Sequence, residues 1–135
     1  MIGYMLDTNT CINLIKHRPA SIQKKLSSIA VGEVAVSSMV AAELWYGVAN
    51  SRKKKENQEA LEDFFHHVDV LHWPKEAARL YGEIRTELKR NGTPIGAMDL
   101  LIAVHGMFLN TILVTDNEKE FAQVPGLKIE NWVNR

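Results

Sequence analysis

Acidic residues stand at the positions where a sheet edge could assemble a catalytic cleft. Asp7 directly follows the short apolar run 2–6, and Asp116 follows the β-branched run 111–115. Because the carboxyl ends of parallel strands meet at one edge of a sheet, both carboxylates should point to that edge. Glu43 is predicted about one turn into the helix after the second strand. Asp99 is predicted at the start of the helix before the strand that ends in Asp116. We expect all of them to face one cleft.

The chemistry of such a cleft follows from its charge. Two like charges about 4 Å apart repel by about 4 kcal/mol at an effective dielectric of 20, so clustered carboxylates need protons or cations. Oxygen ligands of this kind select Mg²⁺, or Mn²⁺ in its place, over zinc. A Mg²⁺ ion held by few carboxylates retains open positions, which suits it to phosphodiester chemistry. The pattern therefore predicts Mg²⁺-assisted hydrolysis, in which an activated water attacks phosphorus and leaves a 5′-phosphate product.

Structural roles also fit each acid taken singly. Asp7, Asp99 and Asp116 each occupy a position typical of a helix N-cap. Glu43 alone could be a solvated helix glutamate, although the mostly apolar segment around it, from Ala41 to Trp45, weakens that interpretation. The joint arrangement is more specific than any one member.

The elements that must position these acids alternate between strands and helices. Strands are predicted at 2–6, 33–37, 68–71, 111–115 and around 128–132. Helices are predicted at 10–16, 21–29, from 38 to at least Gly47, 52–68, 74–90, from Asp99 to at least Phe108, and around Glu120 and Phe121. Ser38 is predicted to cap the third helix, and Arg18-Pro19 to end the first. The alternation indicates one α/β domain over residues 1–135, with a parallel sheet of four or five strands between helices.

The amino-acid composition limits the possible functions of the protein. Sixteen Lys+Arg balance sixteen Asp+Glu, so any binding to phosphates must come from local patches. One candidate is the run Arg52, Lys53, Lys54 and Lys55, since cations early on a helix oppose its dipole.

The single cysteine, Cys11, cannot form an intrachain disulfide, which fits the cytoplasm. No signal or membrane-spanning segment is predicted. His66, His67 and His72 are interpreted as surface or boundary residues, and His105 as a core-edge residue.

Four motifs together resemble the PIN-domain nucleases. They are residues 5–9 (MLDTN), 42–47 (AELWYG), 92–103 (GTPIGAMDLLIA) and 114–121 (VTDNEKEF). Their order and spacing cover nearly the whole chain. The likeness is strongest to the VapC toxins, the ribonuclease half of bacterial VapBC toxin–antitoxin pairs.

The resemblance implies a PIN-like α/β/α sandwich and a metal-dependent endoribonuclease that cuts tRNA or another structured translation RNA. It implies that Asp7 and Asp99 bind the metal and that Glu43 and Asp116 complete the acidic pocket. Thr8, Asn9, Asn117 and Glu120 would orient those ligands. It also implies a VapB-like antitoxin as inhibitor and a homodimer. The apolar residues Met39, Trp45, Tyr46 and Val48 on the Glu43 helix fit either core packing or such an interface.

Other functions remain open at this point. A phosphotransferase of the haloacid-dehalogenase type needs an aspartate two positions after the first, where this chain has Asn9. A P-loop NTPase needs a glycine-rich loop ending in Lys-Ser or Lys-Thr, which the sequence lacks. A non-catalytic RNA- or protein-binding module with a PIN-like fold stays as the alternative, and Mg²⁺-dependent stabilisation that requires Asp7 would discriminate against it.

Overall fold

A five-stranded parallel sheet lies at the centre of the molecule. The computed structural model describes residues 1–18, 20–30 and 32–133. The strands are β1 (Tyr4–Leu6), β2 (Val34–Ser37), β3 (Asp69–Leu71), β4 (Ile112–Val114) and β5 (Lys128–Glu130). They are ordered β3-β2-β1-β4-β5, and Met5 of β1 pairs with Ala35 of β2 and with Leu113 of β4. The predicted α/β architecture with four or five parallel strands is confirmed.

Helices flank the sheet and connect its strands. The α-helices are α1 (Thr8–Lys16), α2 (Ala20–Ser27), α3 (Ser38–Ala49), α4 (Lys54–Phe65), α5 (Ala78–Arg90), α6 (Ala97–Phe108) and α7 (Glu118–Phe121), with a 3₁₀ turn at Lys75–Ala77 before α5. Helix α1 ends at Lys16; of the predicted stop at Arg18-Pro19, Pro19 lies outside the described residues. Helix α5 ends at Arg90 with Asn91 as its C-cap, and Gly92 follows with φ 71°, as predicted for a glycine after a helix.

The core is formed by the short strands and by one face of each flanking helix. Met5, Leu6, Val36 and Leu113 are almost completely buried, because β1, β2 and β4 are covered on both faces, which explains why these strands are continuously apolar. Cys11 is also buried, as expected for a small apolar side chain.

Several helix details differ from the prediction. The N-cap of α3 is Ser37 rather than Ser38, since its hydroxyl accepts from the amide of Met39. Helix α4 begins at Lys54 and ends at Phe65, so it is shorter at both ends than the predicted 52–68. Phe108 is 42% exposed, because it is the last residue of α6 and extends beyond the core. His105, predicted at the core edge, is only 1% exposed.

Candidate active site

Asp7 joins the first strand to the first helix. It follows Leu6 directly and is the N-cap of α1, where its Oδ1 accepts from the amide of Thr10 at 2.8 Å. The side chain is nearly buried, and this burial raises the pKa of Asp7 above its usual value. Hydrogen bonds from Thr115 and Thr10 partly oppose the rise. Asp7 is therefore both a structural cap and a carboxylate held ready at the carboxyl edge of the sheet.

Glu43 reaches the same region from α3. Its carboxylate is partly buried and accepts a hydrogen bond from the hydroxyl of Thr8, with 2.5 Å between Oγ1 and Oε1. Thr8 is the first residue of α1, immediately after Asp7. The bond therefore fixes Glu43 beside the end of β1, and Thr8 is placed where it orients a carboxylate.

Asp99 and Glu120 form a carboxyl–carboxyl pair. Asp99 is the third residue of α6 and is partly buried. Burial, a hydrogen bond with Glu120, and the charges of Glu120, Glu43 and Asp7 raise the pKa of Asp99 to about 6. Asn117 donates from Nδ2 to the Oε2 of Glu120 at 2.8 Å, so it orients the partner of Asp99. Two carboxyl groups can hydrogen-bond only when one of them keeps its proton.

Asp116 and Asn9 lie at the rim. Asp116 is exposed, and its charge contributes to the raised pKa of Asp7. It does not cap α7, because Asn117 occupies that position, and Asp99 does not cap α6, because Gly96 does. Asn9 is exposed in the first turn of α1. In the structure the charges of Asp7 and Glu43 act on Asp99, Glu120 contacts it directly, and Asp116 acts on Asp7 from the rim.

Comparison with known proteins assigns this arrangement to a family. The model of the family described as "PIN domain" matches residues 4–127, which spans every acidic residue of the cleft. The chain belongs to the PIN-domain family.

Similar PIN proteins carry the name VapC. The chain is 45% identical over 130 residues to "Ribonuclease VapC2" of Rickettsia felis, covering 96% of this chain and 97% of that protein. It is 40% identical over 132 residues to "tRNA(fMet)-specific endonuclease VapC" of Shigella flexneri, covering 98% and 99%. A solved structure of VapBC2 from Rickettsia felis bound to a promoter DNA fragment superposes with a TM-score of 0.93 at 44% identity, covering 98% of this chain and 99% of that chain. These relatives identify the chain as a VapC-type PIN protein, and PIN-domain nucleases generally depend on divalent metal ions.

The donors of this PIN domain fit a hard divalent cation. All are carboxylate oxygens, and in the part of the chain that the structure describes no lysine or arginine forms an ion pair with them. Within those residues, no group of three or more His, Cys, Asp or Glu side chains is arranged to hold a metal ion as it stands. The partners of the carboxylates are instead the hydroxyl of Thr8, the amide of Thr10, Thr115 and, for Asp99, the carboxyl group of Glu120. These are contacts that a cation could replace.

Two threonines complete the site and were not predicted from the sequence. The hydroxyl of Thr115 donates to Asp7, while its Oγ1 accepts from the amide of Asn117 at 2.9 Å. Thr10 donates its amide to Asp7 at 2.8 Å, and its hydroxyl donates to the carbonyl of Val114 at 3.2 Å. The position of Thr115 in the sequence was the available signal, since it directly follows β4, the strand next to β1, and directly precedes Asp116.

The predicted RNA-contact run lies at the turn between α3 and α4. Arg52 and Lys53 precede α4, and Lys54 and Lys55 are its first residues; all are exposed. No helix among the described residues is long and apolar enough to cross a lipid bilayer.

Proposed function

We propose that this chain is the toxic component of a toxin–antitoxin pair, a Mg²⁺-dependent endoribonuclease acting through one PIN domain over residues 1–135. The observation that carries the proposal is the pair of Asp99 and Glu120 beside Asp7 and Glu43, with no basic side chain of the described residues in an ion pair with any of them. Such a cluster needs a proton or a cation to offset its charge. The similarity to ribonucleases named VapC supports the reaction.

Asp7 and Asp99 are the proposed metal ligands, and Glu43 and Asp116 complete the acidic pocket. Mg²⁺, or Mn²⁺ in its place, would supply a polarised water and neutralise charge on the phosphodiester. Thr8 and Asn117 hold Glu43 and Glu120 in fixed orientations through their hydrogen bonds. Asn9, exposed in the first turn of α1 next to Asp7, is the remaining candidate for orienting the ligands. Because the hydroxyl at the 2′ position does not attack, the expected product carries a 5′-phosphate.

The proposed substrate is a structured RNA of translation, tRNA in particular. The Shigella relative is named for cleavage of tRNA(fMet), and its similarity covers nearly all of this chain. Such a substrate places the reaction in the cytoplasm. Since the net charge is zero, the affinity for phosphates must come from local cations, for which Arg52, Lys53, Lys54 and Lys55 are the candidates.

A VapB-like antitoxin is the proposed inhibitor, because similar structures are VapBC complexes. The chain has an apolar groove of about 150 Å³ between α1, α3 and α4 that reaches the active-site residue Glu43. Its apolar walls include Ile12, Ile15, Leu44 and Val48, with Lys16 at its border. An apolar antitoxin segment seated there would bring its next residues to the acidic cleft, where a basic side chain would block the carboxylates.

A homodimer is also proposed. Tyr46 is 69% exposed and Trp45 39% exposed on α3, which makes this surface costly to leave in water. Sedimentation of the wild type and of Tyr46→Ser at matched concentrations would test it. A purely monomeric wild type would contradict the proposal.

Cleavage of purified tRNA and rRNA tests the function as a whole. The wild type should give discrete fragments with 5′-phosphate ends in Mg²⁺ and none in EDTA. Asp7→Asn should be inactive, whereas Asp63→Asn, the same change at an exposed residue of α4, should cleave normally. Equal cleavage in EDTA, or a cyclic phosphate product, would overturn the mechanism. A silent wild type free of bound inhibitor would favour a binding module instead.

A further inference from the structure

The helices that carry Glu43 and Asp99 are tied together by buried hydrogen bonds outside the acidic cleft. Nδ1 of His105, on α6, lies 2.7 Å from Oγ of Ser37, the N-cap of α3. His105 is 1% exposed and Ser37 is also 1% exposed. No metal or substrate is needed to explain this contact. It joins the start of one site-bearing helix to the last turn of the other.

A second connection lies beside the first. The backbone amide of Trp73 donates to Oγ of Ser38 at 3.0 Å, and its indole Nε1 donates to the carbonyl of Leu101 at 2.8 Å. Ser38 opens α3, and Leu101 lies in the first half of α6. Trp73 therefore bridges the same two helices. We call Ser37, Ser38, Trp73 and His105 the helix clasp.

The clasp residues lie at matching distances along the two helices from the acidic residues. Ser37 precedes Glu43 by six positions on α3, and His105 follows Asp99 by six positions on α6. Helices α3 and α6 therefore run antiparallel. Ser37 contacts His105 at one end of this pair, and the charge of Glu43 acts on Asp99 at the other end. Six residues correspond to about 9 Å of helix. A small change of angle at the clasp would therefore move the two carboxylates relative to each other.

The site itself supplies the force that the clasp must resist. Glu43 on α3 and Asp99 on α6 are like charges, and their repulsion acts to separate the two helices. The carboxylates have no bond to each other that would hold the helices together. Burying a histidine in a core is also unfavourable in free energy unless its imidazole keeps a hydrogen bond there. Buried polar contacts of this kind fix one geometry where an apolar contact would allow several.

We propose that the helix clasp sets the spacing between Glu43 and Asp99, so that His105 and Trp73 are positioning residues for the metal site. The inference rests on the proposed function for its kinetic consequences but not for its metal-binding consequences. Their hydrogen bonds go to Ser37, Ser38 and Leu101 and not to the acids of the cleft. Their effect is transmitted through the orientation of α3 relative to α6.

The test compares variants that differ in one hydrogen bond. His105→Leu removes the hydrogen bond to Ser37 and puts an apolar side chain of similar size in its place. His105→Asn instead provides a polar atom in place of Nδ1. Trp73→Phe removes the donor to Leu101 and keeps an aromatic ring. The matched control is Thr111→Val, which removes a buried 3.0 Å hydrogen bond from Thr111 to the carbonyl of Gly106 at the far end of α6.

Mn²⁺ affinity, measured by calorimetry without RNA, is the first readout, and kcat and KM for a tRNA substrate are the second. We expect His105→Leu to weaken Mn²⁺ binding and kcat by about 10-fold or more, as loss of an orienting partner does, with KM changed less than about 2-fold. Trp73→Phe should act in the same direction, and His105→Asn should restore most of the loss. Thr111→Val should lower the melting temperature without affecting either readout.

Three results would contradict the proposal that the clasp sets the spacing between Glu43 and Asp99. One is wild-type Mn²⁺ affinity in both His105→Leu and Trp73→Phe. Another is an equal loss in Thr111→Val, which would indicate general destabilisation. The third is a failure of His105→Asn to recover affinity. If His105→Leu does not fold, Trp73→Phe and Ser38→Ala decide the question. If the wild type binds Mn²⁺ but cuts no RNA, the proposed function fails while the affinity measurements still test the clasp.

Discussion

The carboxyl groups of Asp99 and Glu120 hydrogen-bond to each other, although they lie on different helices. The pKa of Asp99 is raised to about 6, so the pair holds a proton below about pH 6. A divalent cation that binds Asp99 must displace this proton. Metal binding and proton release are therefore coupled, and several measurable properties follow from that coupling.

Metal affinity should depend on pH with a break near the pKa of Asp99. Below about pH 6 the proton competes with the cation, so the apparent affinity for Mg²⁺ or Mn²⁺ should rise with pH; above it, the affinity should level off. Glu120→Gln removes the neighbouring charge and should move the break to lower pH. Calorimetry at half-unit steps from pH 5 to 8 would measure both. An affinity that is constant over this range would contradict the shared proton.

Neutralising an acid of the cleft should stabilise the metal-free protein while it abolishes catalysis. Asp7→Asn keeps the helix cap, because asparagine caps as well as aspartate, and it removes a charge whose burial is unfavourable. We expect a melting temperature a few degrees above the wild type in EDTA, equivalent to about 1 kcal/mol. Added Mg²⁺ should stabilise the wild type and leave Asp7→Asn unchanged. Asp63→Asn, with an exposed side chain, should behave as the wild type. A destabilised Asp7→Asn would show that the hydrogen bonds to the charged carboxylate outweigh the cost of its burial.

The fold and most of the cleft could be predicted from the sequence, because the patterns that indicate them involve residues close together in the chain. Asp7 directly follows a strand in the chain, and the apolar runs of β1, β2 and β4 reflect burial on both faces. Asp99 sits three residues after the glycine that caps α6. These relationships survive in the order of the residues, so the parallel sheet and the position of Asp7, Glu43 and Asp99 at one edge were predictable.

The contacts between distant elements were not predictable. Glu120 was expected to orient a ligand, but its hydrogen bond to Asp99 depends on how α7 packs against α6. The bond from Thr115 to Asp7 depends on the adjacency of β1 and β4. His105 was placed at the core edge because nothing in its neighbours along the chain reveals Ser37, which lies 68 positions away.

The buried His105 should make the protein less stable in mild acid. Burial lowers the pKa of His105 from 6.5 to about 4, so between these values the unfolded chain binds a proton that the folded chain refuses. Stability therefore falls as pH decreases from 6.5 towards 4, by about 2 kcal/mol at pH 5 relative to pH 7. Urea unfolding of the wild type and of His105→Asn at both pH values isolates this contribution, since Asp99 acts equally in both. An identical pH dependence in the two proteins would contradict it.

The cationic run before α4 should contribute to RNA affinity and oppose helix stability. Replacing Arg52, Lys53, Lys54 and Lys55 with glutamine removes charges that lie at the positive end of the α4 dipole. Each lost phosphate contact on a single strand should reduce the slope of log affinity against log salt by about 0.7. Binding would be measured in the Asp7→Asn background in EDTA, where cleavage cannot occur. The α4 helix should meanwhile gain up to about 1 kcal/mol.

The control for this experiment removes the same charge elsewhere. Glutamine at Lys75, Arg79, Lys89 and Arg90 changes the net charge equally but alters the exposed side of the 3₁₀ turn and α5. If the run before α4 contacts RNA, its replacement should flatten the salt dependence more than the α5 replacement does. Equal effects would mean that the protein attracts RNA only through its overall charge. An unchanged slope in both would place the RNA contacts on other cations of the chain.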